Sequence, residues 1–300
     1  MKLYAPAYYQ DFHCIADQCR HSCCIGWEID IDENTLSKYQ ALQGGYGAVI
    51  KESICTDTDG EPHFRLGEGD RCPHLNEKGL CRIILNLGEE HLCDICREHP
   101  RFYNFTQVAE VGVGMSCEEA ARLILSSPRY DVIKEIGEIS AAEDEIEFDG
   151  RAERSRVYEI LRDETANYST RLAKIRAEYG ISVGENTDWP EKIDGLEYLD
   201  PAHKELFLGY SATRRPEGLD AYLERALAYF IYRHCTEAFD MEDFCVRLSF
   251  CLFCEGLLAS MICARGAKTL NEVADLARIL SEEIEYSDEN TLALMDAVEK

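Results

Sequence analysis

The stretch Phe12-His13-Cys14-Ile15-Ala16-Asp17-Gln18-Cys19-Arg20-His21-Ser22-Cys23-Cys24-Ile25-Gly26-Trp27 decides how the rest of the chain is read. It places four cysteines within eleven residues, and Cys55, Cys72, Cys81, Cys93, Cys96 and Cys117 follow. Thiols this dense are either cross-linked or hold a soft metal. The chain has fifteen cysteines, and an odd number fits a closed disulfide framework poorly. None occurs from Glu118 to His234, and five return at Cys235, Cys245, Cys251, Cys254 and Cys263.

Cysteine usage divides the 300 residues into a cysteine-rich domain over 1–125 and an α-helical domain over 126–300. The boundary is expected where Ser126-Ser127-Pro128 and the acidic stretch Glu143 to Asp149 interrupt the pattern. Lys and Arg number 31 against 57 acids, for a net charge of −26. Phosphate binding needs a positive surface, so nucleic acid is excluded as a main partner. A lysine-rich partner is better matched, although acidity also serves solubility alone. Met1 to Gln10 lacks the basic region and apolar run of a signal peptide. The longest apolar stretch, Phe244 to Cys263, is interrupted by Arg247 and Glu255 and reads as a buried helix, not a membrane span. The expectation is a cytoplasmic protein with no membrane partner, where clustered cysteines serve metal or catalysis.

Outward from the opening cysteines, Ile25, Trp27, Ile29 and Ile31 alternate with polar or small residues and read as a short half-buried strand. A helix capped by Asp32 is expected from about Glu33 to Leu42, stopped by Gly44-Gly45. Residues 55–80 read as mostly loop, with Cys72 and Cys81 flanking a turn at Asn76 to Gly79. Arg82 to Leu87 reads as a short helix ended by Gly88, and Phe102 to Val113 as extended chain, with Gly112 and Gly114 allowing a close approach. Ser116 and Glu119 fit a capping box, which places Cys117 in a first helical turn. Beyond it, the apolar positions from Val157 to Tyr179 fit one long helix stopped by Gly180. Helical patterns follow over about 191–210, 219–239, 241–264, 270–284 and 288–299, with Thr269 and Glu272 as a second capping box. The fold class is mainly α: an irregular cysteine-rich N-terminal metal-binding domain with short strands, then an α-helical C-terminal domain.

Four-iron clusters take cysteine thiolates, and structural zinc takes four Cys or His ligands. Cys19-x3-Cys23 and Cys93-x2-Cys96 can each set two sulfurs on one centre, and Cys72, Cys81 and Cys117 complete one or more sites. The reading taken is an iron–sulfur cluster, with zinc as the alternative. The radical S-adenosylmethionine spacing C-x3-C-x2-C needs a cysteine where Gly26 stands. Cys251-x2-Cys254 lies on an apolar helix and reads as core packing. His13, His21, His74, His91 and His99 lie close to cysteines and are second-choice ligands. No dinucleotide-binding glycine loop, P-loop or HExxH is present.

Several of these motifs occur together in one order. Phe12-x-Cys14, Cys19-x3-Cys23-Cys24-x2-Trp27, Ile29-x-Ile31-Asp32, Leu80-Cys81-x-Ile83, Leu87-Gly88-Glu89, Cys96-Arg97-x2-Pro100-Arg101 and Ser116-Cys117-x-Glu119-Ala120 resemble the flagellin lysine-N-methylase family. That family is itself related to the CxxCxxCC group of zinc- or iron-chelating proteins. The resemblance is dense over residues 8–125 and weak around Leu219 to His234. It implies methyl transfer from S-adenosylmethionine to lysine ε-amines of flagellin, and a 4Fe-4S cluster. The metal ligands it implies are drawn from Cys14, Cys19, Cys23, Cys24, Cys72, Cys81, Cys96 and Cys117, leaving Cys55 and Cys93 as extras. The opening spacing here is wider than CxxCxxCC, which puts the role of Cys14 in question. The catalytic residues stay unassigned among so many acids and tyrosines. A non-enzymatic metal-chelating or delivery protein is the competing reading.

Overall fold

The computed structural model describes residues 1–140, 148–184 and 186–299. It has two compact units, Met1–Phe12 with Arg101–Lys300 and His13–Pro100. This division differs from the expected 1–125 and 126–300. The reason is strand pairing: Lys2–Pro6 runs parallel to Ala109–Val113 with Leu3 opposite Ala109, so the opening residues join the later chain. Most of the acidic stretch expected at the boundary, residues 143–147, lies outside the described residues.

In the unit His13–Pro100, Asp32 starts the helix Glu33–Ala41 as expected, accepting the Thr35 amide at 2.9 Å. Its other carboxylate oxygen accepts the Asp94 amide at 2.9 Å, so one side chain also ties down the start of the helix Asp94–Glu98. Gly44-Gly45 does not end the helical region. A second helix, Gly45–Ser53, begins there. The hairpin Ile54–Thr56 with Pro62–Phe64 follows. Ile25 to Ile31 forms no continuous strand, only isolated bridges from Ile25 to Arg71 and from Asp30 to His63. The alternation still holds locally, because the Ile31 amide donates to Pro62 and Ile29 accepts from Phe64, and both isoleucines are buried. The Asn76 side chain shapes the turn before Cys81 by accepting the amides of Lys78 and Leu80. Arg82–Leu87 is a helix ending at Gly88, as read from the sequence. Ile29, Ile31, Tyr39, Ile50, Phe64, Leu75 and Ile83 form this unit's core, together with Cys72 and Cys93.

The other unit has a four-stranded sheet in the order Arg101–Phe105, Ala109–Val113, Lys2–Pro6, Ile133–Glu138. Gly112 is required there, since a Cβ would sit 2.3 Å from the Phe102 ring. The helices are Glu118–Ser126, Gly150–Leu161, Tyr168–Tyr179, Trp189–Asp194, Lys204–Leu208, Asp220–His234, Met241–Arg265, Leu270–Leu280 and Asp288–Val298. Met241–Arg265 is long and apolar enough to cross a membrane, but 83% of its apolar window is buried inside the fold. It is the core helix on which Asp220–His234 and Asp288–Val298 pack. Cys251 and Cys254 are fully buried in it, and Cys251 Sγ lies 3.8 Å from Cys235 Sγ. The chain is mainly α, as expected.

Three local expectations are corrected. The expected long helix Val157 to Tyr179 is broken in two, because Asp163 and Asn167 turn their side chains onto the amides of Thr165 and Thr170. The helix Glu118–Ser126 has Cys117 at its N-cap position, with no side-chain cap hydrogen bond and no capping box from Ser116. Glu119 instead pairs with Arg122. The helix expected over 270–284 ends at Leu280 and runs on as a π turn, Ser281–Glu285. The capping box of Thr269 and Glu272 is present.

Candidate functional site

The unit His13–Pro100 brings five thiols into one region. Cys72 and Cys93 are buried in its core, and Cys24, Cys81 and Cys96 pack against the same core. Each arrives on a different piece of backbone. The Cys72 amide donates to the Cys24 carbonyl at 2.8 Å, which pins the opening stretch to the loop before the turn. Cys81 bridges Leu75 and precedes the helix Arg82–Leu87. Cys93 and Cys96 lie on either side of the first turn of Asp94–Glu98. Tyr39 reaches the group from the helix Glu33–Ala41, its hydroxyl 3.6 Å from Cys93 Sγ.

The electrostatics of the group are uneven. A hydrogen bond with Cys23 draws the Cys24 thiol down to about 7, against the effect of burial. Cys96 donates to Cys93, which holds Cys93 below the usual thiol range and Cys96 well above it. Burial pushes Cys72 up to about 12 and also raises Cys81, and the negative charges of neighbouring thiolates add to both. Thiolates so placed repel one another in a poorly solvated core. A cation reverses that balance and lets all of them ionise. The amides of His74 and Leu75 point at the Cys72 sulfur, and those of Ile83 and Ile84 at Cys81. Amide donors to sulfur are how protein-bound clusters are tuned. The donor chemistry therefore fits a soft metal or iron–sulfur cluster.

Of the eight cysteines singled out in the sequence, Cys24, Cys72, Cys81 and Cys96 are brought together. Cys14 and Cys23 are exposed, although Cys23 hydrogen-bonds Cys24 at the edge of the group, and Cys19 is half-buried. Cys117 belongs to the other compact unit. The family resemblance leaves Cys93 as an extra, yet it is the most buried thiol of the group. Its Cys-x2-Cys spacing to Cys96 was the signal that pointed to it. His74 is an unsuitable ligand, because its two ring nitrogens are held by Tyr46 Oη at 2.7 Å and Ser53 Oγ at 2.9 Å.

The other unit holds buried ion pairs that composition did not reveal. Arg154 clamps Glu110 with two bonds of 2.6 and 2.7 Å. Glu285, in the π turn, accepts from Tyr229 at 3.0 Å, from Ser281 at 2.5 Å and shares 2.7 Å with His234. Glu255 accepts from Tyr168 at 3.1 Å and from Arg215. Glu110, Glu255 and Glu285 are all buried, and each ties its own element to side chains of others.

Fold and site define a mainly α protein with a thiol-rich unit. The chain is 29% identical over 132 residues to a lysine-N-methylase of Salmonella choleraesuis (strain SC-B67) and, at the same identity and length, to a lysine-N-methylase of Salmonella typhimurium. It is 28% identical over 132 residues to the flagellar biosynthetic protein FliU of Salmonella muenchen. Each match covers 41% of this chain, with 32% of either methylase and 76% of FliU. The chain thus spans about a third of the length of the lysine-N-methylases it matches. No family model matches, and no solved structure matches. The relatives support a relationship to the flagellin lysine-N-methylase family, as the cysteine pattern led us to expect.

Proposed function

We propose that this chain serves protein-lysine N-methylation in the cytoplasm, moving methyl groups from S-adenosylmethionine to lysine ε-amines of a flagellin-like protein. The unit His13–Pro100 holds a 4Fe-4S cluster on a subset of Cys24, Cys72, Cys81, Cys93 and Cys96. The convergence of these five thiols carries the cluster assignment, and the similarity to lysine-N-methylases supports the reaction. When bound, a cluster supplies covalent cross-links among the four backbone segments and a one-electron centre.

The rest falls to the chain's own residues. A net charge of −26 draws in a lysine-bearing segment. The lysine must reach the methyl group as a neutral amine, which desolvation or a neighbouring base brings about. The nitrogen then forms its bond to carbon as the carbon–sulfur bond breaks, and S-adenosylhomocysteine leaves. The amine proton passes to the base or to water.

A metal-chelating protein without enzyme activity is the second reading, because the same thiols suffice for it. Incubating metal-replete protein with S-adenosylmethionine and a flagellin separates the two. Methyl mass increments on flagellin lysines are expected. Their absence with fully loaded protein favours the chelator.

A further inference from the structure

Far along the chain from the thiols, the unit Met1–Phe12 with Arg101–Lys300 carries a cleft of about 450 Å³ between the helix Tyr168–Tyr179 and the segment 212–215. Arg176 lines it from the helix and Arg215 from the segment. Both guanidiniums lie close enough to act electrostatically on the Tyr210 hydroxyl and on the buried Glu255. Arg215 is tied to Glu255 by an ion pair. Arg176 Nε is buried and has no hydrogen-bond partner. Leu172 and Ile181 give the wall an apolar part, and Ser169 and Thr213 bring hydroxyls.

Two guanidiniums against one carboxylate leave one surplus positive charge in a chain whose net charge is −26. That surplus matches a monoanion better than a dianionic phosphate. A guanidinium fork matches the planar carboxylate with two parallel hydrogen bonds. The cleft is larger than such a headgroup needs, and its apolar wall suits a tail. We propose that this cleft binds a small organic molecule by its carboxylate, held at Arg176 and Arg215. The carboxylate has two sources: the amino-acid end of the methyl donor, or a separate organic acid. The site itself stands without the methyl-transfer reading.

Calorimetric titration of the full chain with L-methionine, S-adenosylhomocysteine, hexanoate and inorganic phosphate tests this. Saturable binding of at least one carboxylate is expected. Arg176→Gln should weaken it about tenfold or more, the size of a lost charge-assisted hydrogen bond. Arg215 keeps the Glu255 ion pair in R176Q, so this variant should stay folded, checked by a single cooperative unfolding transition. Arg215→Lys keeps the charge beside Glu255 but loses the fork, and should weaken binding too. Binding of L-methionine and S-adenosylhomocysteine assigns the site to the methyl donor, and binding of hexanoate alone assigns it to a separate acid. Binding of none of the three, stronger binding of phosphate, or unchanged affinity in both variants overturns the proposal. A chain that binds these carboxylates but leaves flagellin unmethylated keeps this site and loses the methyl-transfer reading. Methylation without carboxylate binding does the reverse.

Discussion

The Tyr39 hydroxyl lies 3.6 Å from Cys93 Sγ while it donates to the His91 carbonyl at 2.6 Å. One buried phenol therefore ties the helix Glu33–Ala41 to the backbone just before the Cys93–Cys96 pair. Tyr39→Phe removes this donor from the half-buried His91 carbonyl. A loss of about 0.5–1.5 kcal/mol is expected for one hydrogen bond, read by denaturant unfolding of metal-free, reduced protein. Wild-type stability in Y39F contradicts the role given to this contact.

The five thiols should separate from the rest by mutation. Single serine replacements at Cys24, Cys72, Cys81 and Cys96 are expected to lower bound metal sharply, measured by elemental analysis of purified protein. Cys14→Ser, at an exposed position, is expected to retain it. Cys93→Ser is the most informative variant, since the family pattern leaves Cys93 out and the fold puts it in the core. Full metal in C93S excludes it as a ligand.

Acid should weaken the unit His13–Pro100 before it weakens carboxylate pairs. Burial lowers His74 and His99 from 6.5 to about 4. In the unfolded chain both regain the ordinary value and take up protons first. Their contribution is complete above about 6.5 and is lost as the pH falls towards 4. Unfolding free energy of metal-free protein should decline across that window, and less steeply in His74→Gln. An identical slope in H74Q rules His74 out as a source.

Glu110 and Arg154 join the sheet to the helix Gly150–Leu161 from positions almost closed to water. Removing one partner strands the other as a buried charge. Arg154→Met is expected to cost about 3–5 kcal/mol, with Glu110→Gln milder because the amide still accepts a hydrogen bond. Both are read from thermal and denaturant unfolding. A near-neutral R154M means that water or another group solvates Glu110.

Much of this was legible in the sequence for physical reasons. Asp32, Gly88 and Gly180 act through local backbone geometry, so the helix ends they set could be read from a few residues. The apolar run 244–263 declared a core helix by composition alone. What the sequence hid depends on contacts distant along the chain. Lys2–Pro6 joins the later unit only through its partner Ala109–Val113, a hundred residues on. The Ser116 capping box failed because the helix starts one residue later, with Cys117 at the N-cap position, and Glu119 pairs with Arg122. Choosing among ten early cysteines required knowing which lie in the core, and the opening stretch put only Cys14 in question, leaving Cys19, Cys23 and Cys24 undistinguished. Of those four, Cys24 alone packs against that core.

The most direct test is the metal content of the chain purified without oxygen. The account predicts a brown protein with about four iron and four sulfide per chain, as a 4Fe-4S cluster requires, lost when Cys96 becomes serine. A colourless protein without iron or sulfide, whether zinc-bound or metal-free, contradicts it.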